Sequence, residues 1–562
     1  MNTPHNPINP KQLALETPQP RLPVELLVYL FQVYVHSVFE DLRDATYIEA
    51  RGQQYHRPPV ILSHVCSTWR SIALSTPDLW SCILCFNAKP NLLPFNAFLQ
   101  RSGGAPIDFV LISHLFRQED INYRRIESYL YTLCEHTYRL QSITLGLNCP
   151  VTMDIFIGRL LSSTPHFPRL KSLDIAAAPK SMPSMLTSLS SACSTSFSAL
   201  RRLRLERFPY HELAMRFASL TQLELRFPDG TLDLSDMLHI LSSMPNLEDL
   251  ALFDTVPVID RGGTPVEFPT LKRLEWSHPK PHNIHNILKN LSMPALEAMV
   301  IYIAQRDRSK HLRFYEPRNE NIFSWDDVFS FDSMKDLSLH CMDEDAVGGS
   351  FLWCEFPALE KLTITNPHGL DEKISPPLLT LPDALSVDRI FREPQFLHLT
   401  HFTLSQFDVG YGERQTQLCF MPALISLSLD RCSGVGQLIN CLVRETMITD
   451  NAQVIEVWRG ARLCPRLEVL SFSGCADLEF GELLAVVKTR NVEGRGEKAK
   501  RKVKPLRGSS QVDAKGKSQG NSQNLSSFAL ISFVRIKGCS LITEEDAMML
   551  MDFKVQDVLW IG

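Results

Sequence analysis

The apolar positions of this chain repeat from about residue 100 as a short motif, Leu-x-x-Leu-x-Leu or a close relative. Copies begin mostly 20 to 43 residues apart, with 64 residues before the last, and seven of the thirteen have proline two residues ahead. Such spacing indicates an internal repeat. The copies begin at Leu140, Leu170, Leu200, Leu220, Leu247, Leu271, Leu296, Met334, Leu359, Leu399, Leu424, Leu467 and Ile531.

The spacing within the motif predicts one strand per copy. A Leu-x-Leu pair places both side chains on one face of a strand, and the Leu three residues earlier packs at the turn that enters it. Burying each Leu stabilises the fold by roughly 2 kcal/mol, but a single copy has nothing to bury its apolar face against. Stacked copies share one core. We therefore predict an α/β solenoid with parallel strands on the concave face and helices or irregular segments on the convex face.

This pattern resembles leucine-rich repeats. Near the C-terminal end, Cys432, Cys475 and Cys539 occupy the Leu-x-Leu-x-x-Cys position, as in the cysteine-containing subtype that is often joined to an F-box. Residues 98–111 are predicted to form the first strand unit, which joins the F-box-like module to the solenoid. Capped return helices are predicted after Ser235-Asp236 and after Thr543-Glu544.

Two apolar helices are predicted near the N-terminus. Pro23 suits the first helical position, and Glu25 in the first turn suits the positive end of the helix dipole. Apolar residues at helical spacing follow in two arms, 26–39 and 61–73, and Pro77 ends the second arm. So small a unit buries little surface alone, which favours a docking module. Two helices packed within a larger domain are the alternative.

The N-terminal motifs resemble an F-box in the form with a long insert that is common among filamentous fungi. They are Leu-Pro-x-Glu-Leu-Leu from Leu22, Val-Cys-x-x-Trp-Arg-x-Ile-Ala from Val65, and Pro-x-Leu-Trp from Pro77. The resemblance implies docking on a Skp-type adaptor that links the protein to a cullin–RING ubiquitin ligase. The residues it assigns to the F-box and its adaptor contact are Leu22, Pro23, Leu26, Leu27, Phe31, Val65, Cys66, Trp69, Leu79 and Trp80.

These patterns divide the protein into three parts. Residues 1–20 form a disordered Pro-rich tail, residues 21–86 an F-box-like domain with an inserted loop at 40–57, and residues 87–562 the leucine-rich-repeat domain. The predicted function is substrate recognition in an SCF-type ubiquitin ligase, without catalysis by this protein. The alternatives are a leucine-rich-repeat scaffold outside any ligase, or a nuclear regulator that contacts nucleic acid through a basic loop.

The substrate is expected on the strand face, at the positions between and just after the inward Leu residues. Interfaces bind most strongly through aromatic anchors surrounded by polar groups, so Phe253 and Tyr302 are the predicted contacts. Arg204, Glu224 and Arg226 supply charge at one end of this face. The alternative for Phe253 is packing on the next repeat.

The composition of the chain indicates in which cellular compartment the protein is expected. The 562 residues are 44% hydrophobic and carry a formal charge of −5, and the start of the sequence has no signal-peptide pattern. No apolar run is long enough for a membrane span. Fourteen scattered cysteines suit a reducing compartment, so cytoplasm or nucleus is expected, with no membrane partner.

A basic segment interrupts the repeats at 488–527 and is predicted to be disordered. Residues 488–507 contain nine Lys or Arg and two Glu. Lys500, Arg501, Lys502 and Lys504 match a simple nuclear-import signal or a nucleic-acid contact, and a solvated charged loop is the favoured alternative.

The sequence favours neither an enzyme nor a metal site. His211 and Glu212 begin like a zinc-protease helix, but Met215 stands where the second His is required. Cys82 and Cys85 have the spacing of half a zinc site without a second pair nearby. A histidine cluster at 278–285 is broken by proline. No phosphate-binding loop or nucleophile elbow occurs, so no cofactor is predicted.

Overall fold

The fold is described from a computed structural model of the protein, which forms two compact units, residues 1–219 and 220–562. The residues that the structure describes are 22–44, 57–85, 92–112, 123–147, 167–177, 197–206, 219–226, 231–233, 241–242, 244–253, 256–258, 266–278, 291–303, 329–340, 354–366, 396–410, 418, 421–443, 445–450, 453–459, 463–492 and 529–562. The predicted tail, most of the insert, most of the helix after Ser235-Asp236 and the import-like motif at Lys500 lie outside these residues, while residues 241–242 are helical.

In the first unit, five parallel strands pair in sequence order. They are β1 (Cys82–Cys85), β2 (Ile107–Ile112), β3 (Leu140–Leu147), β4 (Ser172–Ala177) and β5 (Arg202–Glu206). Five described α-helices accompany them, α1 (Val24–Asp44), α2 (Pro58–Ser63), α3 (Ser67–Ser75), α4 (Leu92–Arg101) and α5 (Tyr123–Cys134), and a 3₁₀ turn lies at Pro77–Trp80. A shorter 3₁₀ turn at Thr137–Arg139 leads into β3.

In the second unit, eleven parallel strands also pair in sequence order. They are β6 (Gln222–Arg226), β7 (Asp249–Phe253), β8 (Arg273–His278), β9 (Ala298–Ile303), β10 (Asp336–His340), β11 (Lys361–Thr365), β12 (His401–Ser405), β13 (Ser426–Asp430), β14 (Val469–Ser473), β15 (Phe533–Lys537) and β16 (Asp557–Ile561). Its described helices are α6 (Val435–Asn440), α7 (Phe480–Asn491), α8 (Glu544–Met549) and a 3₁₀ turn at Leu550–Phe553.

Short strand pairs lie outside this sheet. Three pairs are parallel, Thr231–Asp233 with Val256–Val258, Val266–Glu267 with Leu291–Ser292, and Phe329–Ser330 with Cys354–Glu355. One pair is antiparallel, Glu445–Asp450 with Gln453–Arg459.

The predicted repeat is confirmed. Strands β3 to β15 coincide with the thirteen motif copies, and every apolar position of those copies is at most 9% exposed. Along most of these strands inward positions alternate with half-buried or exposed outward positions, as the two-residue period requires, whereas in β3 the outward Ser142 and Thr144 are buried as well. One strand per repeat, stacked in parallel over a shared leucine core, is the leucine-rich-repeat architecture. The sequence analysis did not predict β16, and it considered β1 only as a position for two cysteines.

The prolines of the motif are explained by a turn. In each described copy of this kind, the residue before proline accepts a hydrogen bond from the first Leu of the motif, for example Leu296 N to Met293 O at 3.1 Å and Leu467 N to Cys464 O at 3.0 Å. Proline therefore occupies the second position of a four-residue turn, where its fixed φ is favourable. The turn directs the backbone into the strand.

The residue that accepts this bond forms a fourth core position. It is aromatic in several copies, and neighbouring rings stack, with 5.3 Å between the centroids of Phe167 and Phe197 and 5.6 Å between those of Phe331 and Phe356. All four rings are buried.

Two predicted loop boundaries are corrected. Helix α1 continues to Asp44, so the first residues of the predicted insert at 40–57 are helical. Helix α7 continues to Asn491, so residues 488–491, which were assigned to the disordered segment, are also helical. Arg490 is 2% exposed and its guanidinium donates to the carbonyls of Leu463 and Cys464. Two charges counted with the basic loop, Lys488 and Arg490, therefore belong to a repeat.

The predicted cap of the C-terminal helix is confirmed. Thr543 Oγ1 accepts from Asp546 N at 3.2 Å, and Asp546 Oδ2 accepts from Thr543 N at 3.0 Å, which is a reciprocal capping box. Near the N-terminus, α1 begins at Val24, one residue later than predicted. Pro23 precedes the helix, and its carbonyl accepts from Leu27 N at 3.1 Å.

The cysteines after the strands are buried, as their position in the repeat implies. The thiol of Cys432 lies 3.6 Å from the carbonyl of Leu404 in the preceding repeat, and the thiol of Cys475 lies 3.5 Å from that of Leu429. Each thiol thus donates across one repeat boundary to a carbonyl at the end of a strand.

Candidate functional site

The N-terminal helices share one core with the first two strands of their unit. Every fourth residue of α1, Phe31, Val35 and Phe39, is buried in this core. The core is completed by residues of α2, α3, the 3₁₀ turn and the strands, namely Leu62, Ile72, Ala73, Leu79, Trp80, Cys82, Val110 and Ile112. The module therefore rests on its own sheet, which the sequence analysis did not predict.

Trp80 is the centre of this core. It is fully buried, its Nε1 donates to the carbonyl of Ala73 at 2.7 Å, and the ring centroid of Phe98 lies 5.0 Å away. The guanidinium carbon of Arg101 lies 4.3 Å from the indole centroid. The carbonyl of Ala73 needs this donor, because its partner in a continued helix would be residue 77, which is a proline without an N–H.

A second apolar stripe of the module faces away from the core. Of the residues assigned to the adaptor contact, Leu22 is 52% exposed, Leu26 49% and Val65 57%, and Pro23 and Cys66 are exposed as well. Seven further exposed apolar residues of the module were not assigned to the adaptor contact, namely Val24, Tyr29, Leu30, Val33, Tyr34, Ile61 and Leu74. We call this set, with Leu22, Leu26 and Val65, the outer apolar face.

The remaining predicted contact residues lie deeper. Phe31, Leu79 and Trp80 are buried, while Leu27 and Trp69 are half-buried. The centroids of the Trp69 and Phe31 rings lie 4.8 Å apart, so Trp69 joins the core to the surface. Cys66 precedes α3 and its sulfur accepts from Trp69 N at 3.4 Å, which makes it the N-cap.

The predicted substrate residues of the second unit form two contact groups on the outward strand face. In the first, Arg226 Nε lies 2.6 Å from Glu224 Oε1, and its guanidinium carbon lies 4.1 Å from the ring centroid of Phe253. Register places Arg226 beside Phe253 on adjacent strands. Phe253 lies half-buried on the outward face, under a cation from the preceding strand.

The second group surrounds Tyr302, which is two strands further along the same sheet. Its ring stacks on His340 with 4.7 Å between centroids, and His340 Nδ1 lies 3.0 Å from Thr365 Oγ1. Burial lowers the pKa of His340 below its ordinary value. The sequence analysis did not predict this stacked pair, although a histidine in register with an outward tyrosine is a signal for one.

Arg204, the fifth predicted substrate residue, belongs to the first unit. Its Nη1 lies 3.6 Å from Asp174 Oδ2 on the adjacent strand. Among the predicted substrate residues, Glu224, Arg226 and Phe253 are thus in contact with one another. Tyr302 belongs to a separate group with His340.

Within the described residues, no group of three His, Cys, Asp or Glu side chains is placed to hold a metal ion. Cys82 and Cys85 are both buried in β1, and burial raises the pKa of the Cys85 thiol to about 12. None of the helices described here has the length and apolar content needed to cross a bilayer.

Comparisons with known proteins give likenesses only at the level of structure. No protein-family model matches the sequence, and no curated protein matches it at a significant level. Similar solved structures include TLR13 in its complex with ssRNA13 (13% identity, TM-score 0.26, 62% of this chain and 55% of that one) and the mouse RP105/MD-1 complex (15%, 0.27, 60% and 54%). A third is a leucine-rich-repeat protein of Leptospira interrogans (12%, 0.25, 75% and 90%).

This chain spans about half the length of the first two structures. At these TM-scores the likeness carries no argument about function. The assignment of leucine-rich repeats rests on the strand pairing and leucine burial within each unit.

Proposed function

We propose that this protein is the substrate-recognition subunit of a cullin–RING ubiquitin ligase. In this proposal the outer apolar face docks on a Skp-type adaptor, and the outward strand face of the repeats binds the protein substrate. The transfer chemistry belongs to other subunits. The observation that carries the proposal is the outer apolar face itself, since it contains ten large apolar residues that are each at least 40% exposed.

The distribution of apolar residues around α1 supports a protein partner. Phe31, Val35 and Phe39 already supply the stripe that a helix needs to pack on its own fold. Leu22, Leu26 and the apolar positions that follow give a second stripe, and contiguous exposed apolar patches mark interaction sites. Burying one half-exposed Leu or Val on a partner contributes on the order of 1 kcal/mol, so several together support stable docking.

The F-box resemblance supports a Skp-type adaptor as this partner. The exposed residues include Leu22, Pro23, Leu26, Val65 and Cys66, all of which belong to the set that the resemblance assigns to the F-box and its adaptor contact. The deeper residues of the motif, Leu79 and Trp80, hold the helices in place. The form of the motif with a long insert is the one common among filamentous fungi.

The test is co-purification of the full-length protein with a Skp-type adaptor and cullin. Leu26→Asp and Val65→Asp place a charge on the outer apolar face without touching the core, and each is expected to weaken adaptor binding at least tenfold. Leu541→Asp is the matched control, because Leu541 is 52% exposed but lies in the second unit. Adaptor binding that survives both module variants, or an absence of binding by the unmodified protein, contradicts the proposal.

A second assay, with the same variants, distinguishes a ligase subunit from a scaffold. In a reconstituted ubiquitin-transfer reaction, substrate ubiquitination that requires Leu26 and Val65 supports the ligase. Adaptor binding without cullin recruitment or ubiquitin transfer favours the scaffold instead.

A further inference from the structure

Five Lys or Arg side chains occupy outward strand positions among the described residues of the second unit, and three of them are neutralised. Arg226 lies 2.6 Å from Glu224, Arg273 3.5 Å from Glu275, and Lys361 2.7 Å from Asp336. The other two, Arg535 and Lys537, have no acidic side chain in contact within the part of the protein that the structure describes.

Arg535 and Lys537 lie on one face of β15. They alternate with Val534 and Ile536, which are fully buried, so both cations point away from the core and both are exposed. Residues two apart on a strand are roughly 7 Å apart, which lets both side chains reach one anionic group.

The neighbours of the pair on β14 are hydroxyls. Ser471 is in register with Arg535, and Ser473 with Lys537, so each cation has a half-buried serine as its neighbour on the next strand, where the two backbones are about 5 Å apart. Arg431, half-exposed at the end of β13, adds a cation whose Nε lies 3.4 Å from Asp430. The positive charge of this region therefore exceeds its negative charge.

The neighbours on β16 are apolar. Leu559 is in register with Arg535 and is 42% exposed, and Ile561 is in register with Lys537 and is 37% exposed. The face thus runs from hydroxyl donors through two unneutralised cations to exposed aliphatic groups. This order suits an anionic group with an apolar side chain beside it.

We propose that Arg535 and Lys537, with Ser471 and Ser473, bind an anionic group of an extended peptide segment, with Leu559 and Ile561 contacting an adjacent apolar side chain. The inference deepens the proposed function, because it names the chemistry of the substrate that the strand face takes. The shared chemistry is a phosphoryl or carboxylate oxygen group, which a phosphorylated residue, an acidic residue or the terminal carboxylate of a polypeptide can supply. Guanidinium, ammonium and hydroxyl donors together satisfy such oxygens.

The test measures retention of degenerate nonapeptide libraries on the immobilised full-length protein. Four libraries have blocked ends and differ only in the central residue, which is phosphoserine, glutamate, serine or lysine, and a fifth has a serine centre and a free terminal carboxylate. We expect at least one anionic library to be retained about tenfold more than the serine library, because each charge-assisted hydrogen bond contributes roughly that factor. The library retained identifies the source of the anion.

Variants assign the binding to this site. The double variant R535A/K537A is expected to lose the preference, whereas R273A/K361A, which removes the same two charges from paired positions on the same face, is expected to keep it. The reversal R535E/K537E is expected to favour the lysine library, and this gain of binding excludes simple misfolding. Circular dichroism confirms that each variant is folded.

Several results overturn the inference. They are equal retention of all five libraries, equal loss in the two double-alanine variants, or tighter binding of a single-stranded DNA 20-mer that disappears in R535A/K537A. A dimer in sedimentation velocity that only R535A/K537A dissociates would assign the face to a second copy. The peptide assay needs no adaptor, so the two proposals can fail separately. If the protein binds the adaptor but shows no preference for anionic peptides, only this inference is refuted. If it prefers anionic peptides but does not bind the adaptor, only the ligase role is refuted.

Discussion

The substitution Trp80→Phe tests whether the last turn of the N-terminal module is a core element or a contact surface. The F-box resemblance assigned Trp80 to the motif and its adaptor contact without separating core from surface, and in the structure the side chain is fully buried and its Nε1 is the donor to the Ala73 carbonyl. Phenylalanine keeps most of the apolar volume and the contact with Phe98, but it has no N–H. The carbonyl of Ala73 would then be buried without a donor, because residue 77 is proline.

The expected decrease in the free energy of unfolding has two contributions. A buried carbonyl left unpaired costs about 1–3 kcal/mol, and the smaller ring leaves a cavity that costs on the order of 1 kcal/mol. We expect the free energy of unfolding of the first unit to fall by about 3 kcal/mol. For a unit of this size, that corresponds to a decrease in Tm of roughly 6–12 °C. Far-UV circular dichroism during a thermal scan, with urea titration as a second measure, resolves such a change.

Trp69→Phe is the matched control. It is the same substitution in the same module, but Trp69 is half-buried and no described group accepts a hydrogen bond from its indole. Its ring contact with Phe31 is retained by phenylalanine, so the expected loss is below about 1 kcal/mol. At 10 °C, where both variants are folded, adaptor binding by Trp80→Phe should equal that of the unmodified protein. Equal stability of the two variants, or weaker binding by folded Trp80→Phe, would refute the assignment of Trp80 to the core.

Three further predictions concern single residues. Asn491→Leu removes a buried amide that bonds to Ile531 and Phe553, so urea unfolding of the second unit should show a loss of about 3 kcal/mol. Cys66 is exposed and should react readily with a thiol reagent at pH 8, whereas Cys432 is buried and should react far more slowly, because burial raises its pKa to about 11 and only about one thiol in a thousand is then ionised. The pKa of His340 is lowered by burial, so its contribution to stability is present above pH 6.5 and is lost as pH falls, and His340→Phe should flatten the stability–pH profile in that range.

The strands of the repeat could be predicted because their signal is local. A Leu-x-Leu pair and the Leu three residues earlier determine both where a strand lies and which face it buries, and all of these positions are buried. The fourth core position was equally local, since Phe, Met or Cys precedes the motif prolines in Phe167, Met293 and Cys464. The sequence analysis used the proline only to mark the start of each motif copy, and therefore did not predict that the residue before the proline is buried.

The boundaries of the insertions could not be predicted from composition. Lys488 and Arg490 are basic residues beside a basic segment, and only the three-dimensional structure shows that Arg490 is buried against the carbonyls of Leu463 and Cys464. A buried guanidinium is rare, and nothing in the adjacent sequence marks it. The helix also ends with a buried amide, Asn491, which ties α7 to the segment entering β15.

The division of the N-terminal motif into core and surface also depends on tertiary contacts. Leu26 and Leu27 are consecutive in the sequence and equally apolar, but they lie about 100° apart around α1. Leu27 turns toward the core that β1 and β2 complete, and Leu26 turns away from it. Because the strands that fix this orientation are about sixty to eighty residues away in the sequence, helical periodicity could identify two apolar stripes but not which one remains exposed. The exposed stripe is therefore a property of the folded unit. Binding of a partner to Leu26 would depend on the packing of the module against β1 and β2, because that packing determines which stripe is exposed.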